Sequence, residues 1–208
     1  MLSHHGIKIT GRSRRLTLNY RTTRENLSAA LQTLEGGDYR DLDLDESVEA
    51  TGYRSARSGP VPVFKSVDSR EQEVEEVVAA IQGWLAPLGK ENAPGVAPET
   101  IGVLVHDQRS RDRMVEALAL NDIPARSVDR ERPQPGQVPV MTMHRAKGLE
   151  FSKVVIAGHG IWPGYFKERI KNWDTSLQAD ADLRERSLLY VAMTRARDEL
   201  VVITPQDQ

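Results

Sequence analysis

Apolar residues recur along this chain in two rhythms, every second position in short stretches and every third or fourth in longer ones, and their succession predicts the elements. Leu16-Thr17-Leu18-Asn19-Tyr20 alternates as a short strand, with Arg21-Thr22-Thr23 as the loop leaving it. Thr22 and Glu25 have capping-box spacing, Leu27, Leu31 and Leu34 share a helical face, and Gly36-Gly37 ends that helix. Val61-Pro62-Val63-Phe64 reads as a strand near a sheet edge, because Pro62 cannot donate to a ladder. Ser69 with Gln72 is a second capping box, followed at helical spacing by Val74, Val77, Val78, Ile81 and Leu85.

Ile101-Gly102-Val103-Leu104-Val105 is nearly all apolar, as in a strand covered on both faces of a parallel sheet. A helix from about Ser110 to Leu120 turns Met114, Ala117 and Leu118 inward and is stopped by Asn121-Asp122-Ile123-Pro124. A short strand, Ala125 to Val128, leads into a Pro- and Gly-rich linker. A central apolar run around Val140 then breaks into a polar loop and resumes as a strand, Lys153 to Ala157. An irregular excursion from His159 to about Asp180, a helix near Leu183 to Arg195 and a last strand, Leu200 to Ile203, complete the chain. Strands alternating with amphipathic helices predict an α/β fold with a mainly parallel sheet and helices on both faces.

The chain's 208 residues suit one domain over 1–208. Residues 1–15 read as a basic N-terminal extension, 38–60 as an irregular connection, and 130–137 as a linker only. The 28 basic and 30 acidic residues leave a net charge of -2, so a nucleic-acid surface has to be a local patch. Charge is segregated: only basic charges occur from Lys8 to Arg24, and Asp38 to Glu49 is mostly acidic. With no cysteine, disulfides, thiolate metal sites and cysteine nucleophiles are excluded. No apolar stretch approaches the roughly 18 residues of a membrane span, and the start lacks signal-peptide regions, so a cytoplasmic protein is expected.

A phosphate-binding P-loop is absent. The sole Gly-Lys, Gly89-Lys90, is followed by Glu91, and Trp84 stands where the first glycine of the cradle is needed. Asp107, at the end of an apolar strand, reads as a loop-capping residue. The five histidines, His4, His5, His106, His144 and His159, lack metal-ligand spacing, so no metal site is expected. The loop after Val140 gathers complementary groups instead. Thr142 and His144 can bond phosphate or sugar oxygens, Lys147 adds charge, Gly148 permits close backbone approach, and Glu150 can accept from ribose hydroxyls. The same residues also suit an ordinary surface loop, and Arg195 and Arg197 suit a helix C-terminus.

Three stretches go further. Leu18-Asn19-Tyr20-Arg21-Thr22-Thr23, Thr142-Met143-His144-Arg145-Ala146-Lys147-Gly148-Leu149-Glu150-Phe151 and Leu189-Tyr190-Val191-Ala192-Met193-Thr194-Arg195-Ala196-Arg197 resemble, in order, motifs IV, V and VI of superfamily 1 DNA helicases of the UvrD/PcrA/Rep type. The resemblance is to their second RecA-like motor domain. It implies that Tyr20 packs on adenine and that Arg21 and Arg195 are catalytic fingers on the γ-phosphate. It further implies that Gly148 and Glu150 lie at the nucleotide, and that Thr142, His144 and Lys147 face single-stranded DNA. ATP with Mg²⁺ is then expected to bind only together with a first RecA-like domain, which holds the Walker residues, so this chain alone should be inactive and a piece of a longer protein. Relatives carry a large helical insertion where this chain has only a linker between 129 and 138, which makes translocation without strong unwinding plausible. The rival expectation is a non-catalytic nucleic-acid-binding or regulatory module on the same fold.

Overall fold

A computed structural model of the chain describes residues 18–34, 54–86, 96–129, 133–158 and 170–206. Its elements are β1 (Leu18–Thr23), α1 (Arg24–Gln32), β2 (Arg54–Arg57), β3 (Val63–Val67), α2 (Arg70–Leu85), β4 (Ile101–Val105), α3 (Gln108–Leu120), β5 (Ala125–Ser127), β6 (Val138–Thr142), β7 (Phe151–Ala157), α4 (Thr175–Met193) and β8 (Ala196–Pro205). Six strands form one sheet in the order β3-β8-β7-β4-β6-β5, and every neighbouring pair is parallel. β1 and β2 make a separate parallel pair. This is the α/β architecture that the alternating rhythms predict.

Parallel strands need cover on both faces, and successive side chains supply it by pointing to opposite sides. Leu104, Met141, Val154, Ile156, Leu200 and Val202 pack with Ala30 of α1 and with Leu189, Ala192 and Met193 of α4. Val103, Val140, Val155 and Ile203 pack on the other face with Val77 and Ile81 of α2 and with Met114 and Leu118 of α3. Each such side chain, taken fully out of water, contributes about 1.5–3 kcal/mol before chain entropy is set against it. β3 lies at the edge beside β8. Ser69 caps α2 by accepting from Gln72 N–H, while Gln72 Oε1 accepts from Asp68 N–H. Asp107 caps α3 by accepting from Ser110 N–H.

The connection from β6 to β7 is unusual for parallel strands, because it contains no helix. Register sets Thr142 beside Val105 at the carboxyl end of the sheet and Lys153 beside Ile101 toward the amino end, with β4 lying between β6 and β7. At about 3.3 Å per residue, the segment descends roughly 20 Å across the sheet face before Phe151. Turns carry it: Arg145 and Ala146 donate to the Thr142 carbonyl, and Leu149 donates to Ala146. Met143, at 1% exposure, and the fully buried Ala146 anchor it in the core.

Several expectations are corrected. Arg21-Thr22-Thr23 is strand rather than loop, because β1 runs on to Thr23 against β2. Thr23, not Thr22, caps α1 by accepting from Asn26 N–H. Thr22 instead donates to the Ala196 carbonyl, and Glu25 accepts from Gly59 N–H and Ser58 rather than closing a capping box. The connection read as irregular over 38–60 contains β2, held by Ser55 donating to the Thr22 carbonyl at 2.5 Å. α1 stops at Gln32, before Gly36-Gly37, and α4 begins at Thr175, eight positions ahead of Leu183. β7 and β8 are longer than their apolar cores. Residues 1–15, Gly36-Gly37, Gly89-Lys90, His4, His5 and His159 lie outside the described residues.

Candidate nucleotide and nucleic-acid site

At the amino ends of β7 and β8, three of the residues singled out in the sequence meet. Arg21, on β1, forms an ion pair through its Nε with Glu150, which ends the descending connection. Arg195 follows α4 in the turn into β8. Its Nε donates to the Val191 carbonyl at 2.9 Å, one Nη donates to Leu149 O at 3.3 Å, and the other to Thr194 Oγ1 at 3.1 Å. The first bond satisfies a carbonyl left over at the helix end. Two further N–H groups have no protein acceptor among the described residues, so the structural role leaves donors over. Burial and the neighbouring Arg21 charge lower the Arg195 pKa, against the pull of Glu150 and Tyr190. Arg195 lies near the Arg21–Glu150 pair without bonding its carboxylate, which leaves an excess of positive charge, and a guanidinium stays charged under such pressure.

Backbone bonds fix the cluster. The Ala196 carbonyl accepts from Thr22 Oγ1 at 2.6 Å and from Asn26 Nδ2 at 3.4 Å, so β1 and α1 dock on the strand that follows Arg195. Phe151 N–H donates to the Arg195 carbonyl at 3.0 Å, which joins the descending connection to the same turn. Tyr20, which precedes Arg21 on β1, is 69% exposed. Gly148 has φ +87°, and a Cβ there would meet nothing within 4 Å. Backbone conformation, not crowding, requires glycine at this position. No group of three or more His, Asp or Glu side chains that could hold a metal occurs among the described residues.

The upper turn of the connection presents a different chemistry. His144, Arg145 and Lys147 are exposed. Thr142 does not join them, since it is 8% exposed at the end of β6. The sequence residues thus divide into an arginine–carboxylate cluster around Glu150 and a basic turn around His144, linked by one segment.

Residues 129–207 match the family model described as the UvrD-like helicase C-terminal domain. Over these residues the chain is similar to that family. The UvrD-like region takes in β6, the descending connection, β7, α4 and β8. The chain is 40% identical over 125 residues to the ATP-dependent DNA helicase Rep of Buchnera aphidicola subsp. Schizaphis graminum, which covers 59% of this chain and 16% of that protein. It is 31% identical over 171 residues to the ATP-dependent DNA helicase UvrD1 of Mycobacterium bovis, covering 78% of this chain and 20% of the relative. The chain thus spans about a fifth or less of the length of these relatives. The crystal structure of the C-terminal domain of a possible DNA helicase from Lactobacillus plantarum WCFS1 superposes with a TM-score of 0.57 at 20% identity, over 89% of this chain and 87% of that one, and shows the same fold. No described helix is long and apolar enough to cross a membrane.

Sequence reasoning missed two polar residues that brace the arginine–carboxylate cluster, Arg57 and Asp198. Arg57 on β2 donates to the Arg21 carbonyl at 3.3 Å and the Arg197 carbonyl at 3.5 Å, and pairs with Asp198 at 2.5 Å. Burial raises the Asp198 pKa, but Arg197 and Arg57 outweigh it and hold the carboxyl below the ordinary aspartate value. Arg197 also donates to Ser152 at 2.8 Å, so it ties β7 to β8. The short polar sequence of β2 carried no periodic signal by which these bonds could be found.

Proposed function

We propose that this chain is the C-terminal motor domain of an ATP-dependent DNA helicase or single-strand DNA translocase. It supplies Arg21 and Arg195 as arginine fingers to an ATP site completed by a first RecA-like domain of the same protein, and it grips single-stranded DNA. One observation carries the reading: a single segment anchored in the core runs from the basic turn at His144 and Lys147 to Glu150, where both arginines gather. ATP with Mg²⁺ fits the lower cluster, because Tyr20 offers an exposed ring, Gly148 leaves open space, and the paired guanidiniums hold unspent N–H groups. Bound there, the nucleotide would supply the hydrolysable phosphoryl bond, with Mg²⁺ held by its phosphates and the first domain. The residues of this chain would orient it and neutralise charge, a contribution that elsewhere reaches about 10³ to 10⁵ in turnover.

Joined to its first motor domain, the protein is expected to show DNA-stimulated ATPase activity. Arg195→Ala removes most of that turnover while the far-ultraviolet circular dichroism spectrum stays unchanged. Full turnover in the variant excludes the finger role.

A further inference from the structure

The basic turn contains one cation beyond those that the functional reading uses. Arg145 is 47% exposed, and its partner among the described residues is Asp129, at 4.0 Å between Nε and Oδ1. That separation is too long for a hydrogen bond, and the guanidinium makes none to any other side chain or carbonyl among the described residues. Asp129 is engaged from its other side: Arg111 of α3 places Nη1 2.7 Å from Asp129 Oδ2 while its Nε bonds Asp112 at 2.8 Å. Arg111 is thus ion-paired with both Asp112 and Asp129. Arg111 has a side chain only 10% exposed, whereas Asp129 is 48% exposed, so the carboxylate is fixed at the surface by a cation rooted in the core. A row of charges, Arg111, Asp129 and Arg145, therefore leads from α3 to the turn that carries His144 and Lys147.

We propose that Arg145 is a further contact to the phosphate backbone of single-stranded DNA, and that Asp129 poises it and limits its grip. This rests on the reading of the turn as the DNA-gripping element. A carboxylate at 4.0 Å aims the guanidinium without binding it, and screening makes an exposed pair of this kind easy to part. A phosphate offers the same group two oxygens in bidentate geometry. With Arg145 on phosphate, Asp129 stays nearby as a negative charge opposing the strand. A grip weakened in this way releases readily, which stepwise movement along a strand requires.

The test measures binding of the full chain to a fluorescent oligothymidylate by anisotropy over a range of salt concentrations. Arg145→Ala is expected to weaken binding several-fold at low salt and to reduce the slope of log K against log salt by about 0.7, the value for one single-strand phosphate contact. Arg145→Lys keeps that slope at somewhat lower affinity. Asp129→Asn tightens binding at low salt, and the gain fades as salt rises. Lys147→Ala reports on the underlying reading. If it lowers the slope while Arg145→Ala changes nothing, Arg145 is not a contact and the gripping turn stands. If neither variant alters binding, or the chain does not bind at the lowest salt, both ideas fall. A loss of affinity on Arg145→Ala with an unchanged slope also overturns the assignment.

Discussion

Arg21 and Glu150 hold one another in an ion pair at the mouth of the arginine cluster, each roughly half exposed. An exposed pair contributes about 0–1 kcal/mol to stability, so its value lies elsewhere. Arg21→Ala and Glu150→Ala are therefore expected to shift chemical denaturation by less than about 1 kcal/mol. Arg21→Ala in the assembled protein is expected to lower ATP turnover by at least about 10³. Small changes in both readouts would show that the pair is only surface charge.

Gly148→Ala tests the backbone of the connection. A Cβ there meets no neighbour, so the expected loss of about 1–2 kcal/mol comes entirely from the left-handed conformation. Urea denaturation measures it. Unchanged stability would mean that the turn has another conformation available at no cost.

Gly102 on β4 and Phe151 at the start of β7 form an interlocked pair. A Cβ on Gly102 would lie 2.6 Å from the Phe151 ring, with rigid aromatic atoms in the way. Gly102→Ala is expected to cost about 1–3 kcal/mol through overpacking, and Phe151→Leu in the same chain to recover part of it. A purely additive double variant would refute the interlock.

Glu73, in the first turn of α2, sets a pH dependence. Burial raises its pKa, opposed by a bond from Gly158 N–H and by the charges of Arg70 and Arg113, and its Oε2 has no hydrogen-bond partner among the described residues. The folded state then binds the proton more tightly than the unfolded chain. This contribution to stability is fully present below the ordinary value of 4.5 and is lost as pH rises through the higher folded value. Glu73→Gln is expected to be more stable than the parent at neutral pH and to converge with it in acid, as followed by denaturation at several pH values. Parallel curves would contradict the buried-carboxyl account.

The fold was legible where burial dictated pattern. Ile101 to Val105 is apolar because both faces are covered, and Ser69 and Asp107 cap helices by bonds that depend on near neighbours alone. β2 was illegible because Arg54-Ser55-Ala56-Arg57 is held by distant partners, the Thr22 carbonyl and Asp198. The first turns of α4 escaped for a related reason: they are largely exposed and polar, so no apolar stripe marks them. At the site, composition suggested phosphate chemistry around Glu150. Motif resemblance, not periodicity, brought Arg21, Glu150 and Arg195 together.

The helix-free descent from Thr142 to Phe151 has a mechanical consequence. A helical crossover lying over a sheet can slide or tilt, but this segment is sunk into the core at Met143, Ala146 and Phe151. Close-packed interiors resist compression and transmit strain, so these three anchors tie the segment to the sheet. On the proposed reading, a displacement at Glu150 is expected to reach the turn at His144 through these buried anchors. The separation of its two ends is set by the height of the sheet, so on that reading a one-residue insertion in this segment is expected to uncouple them.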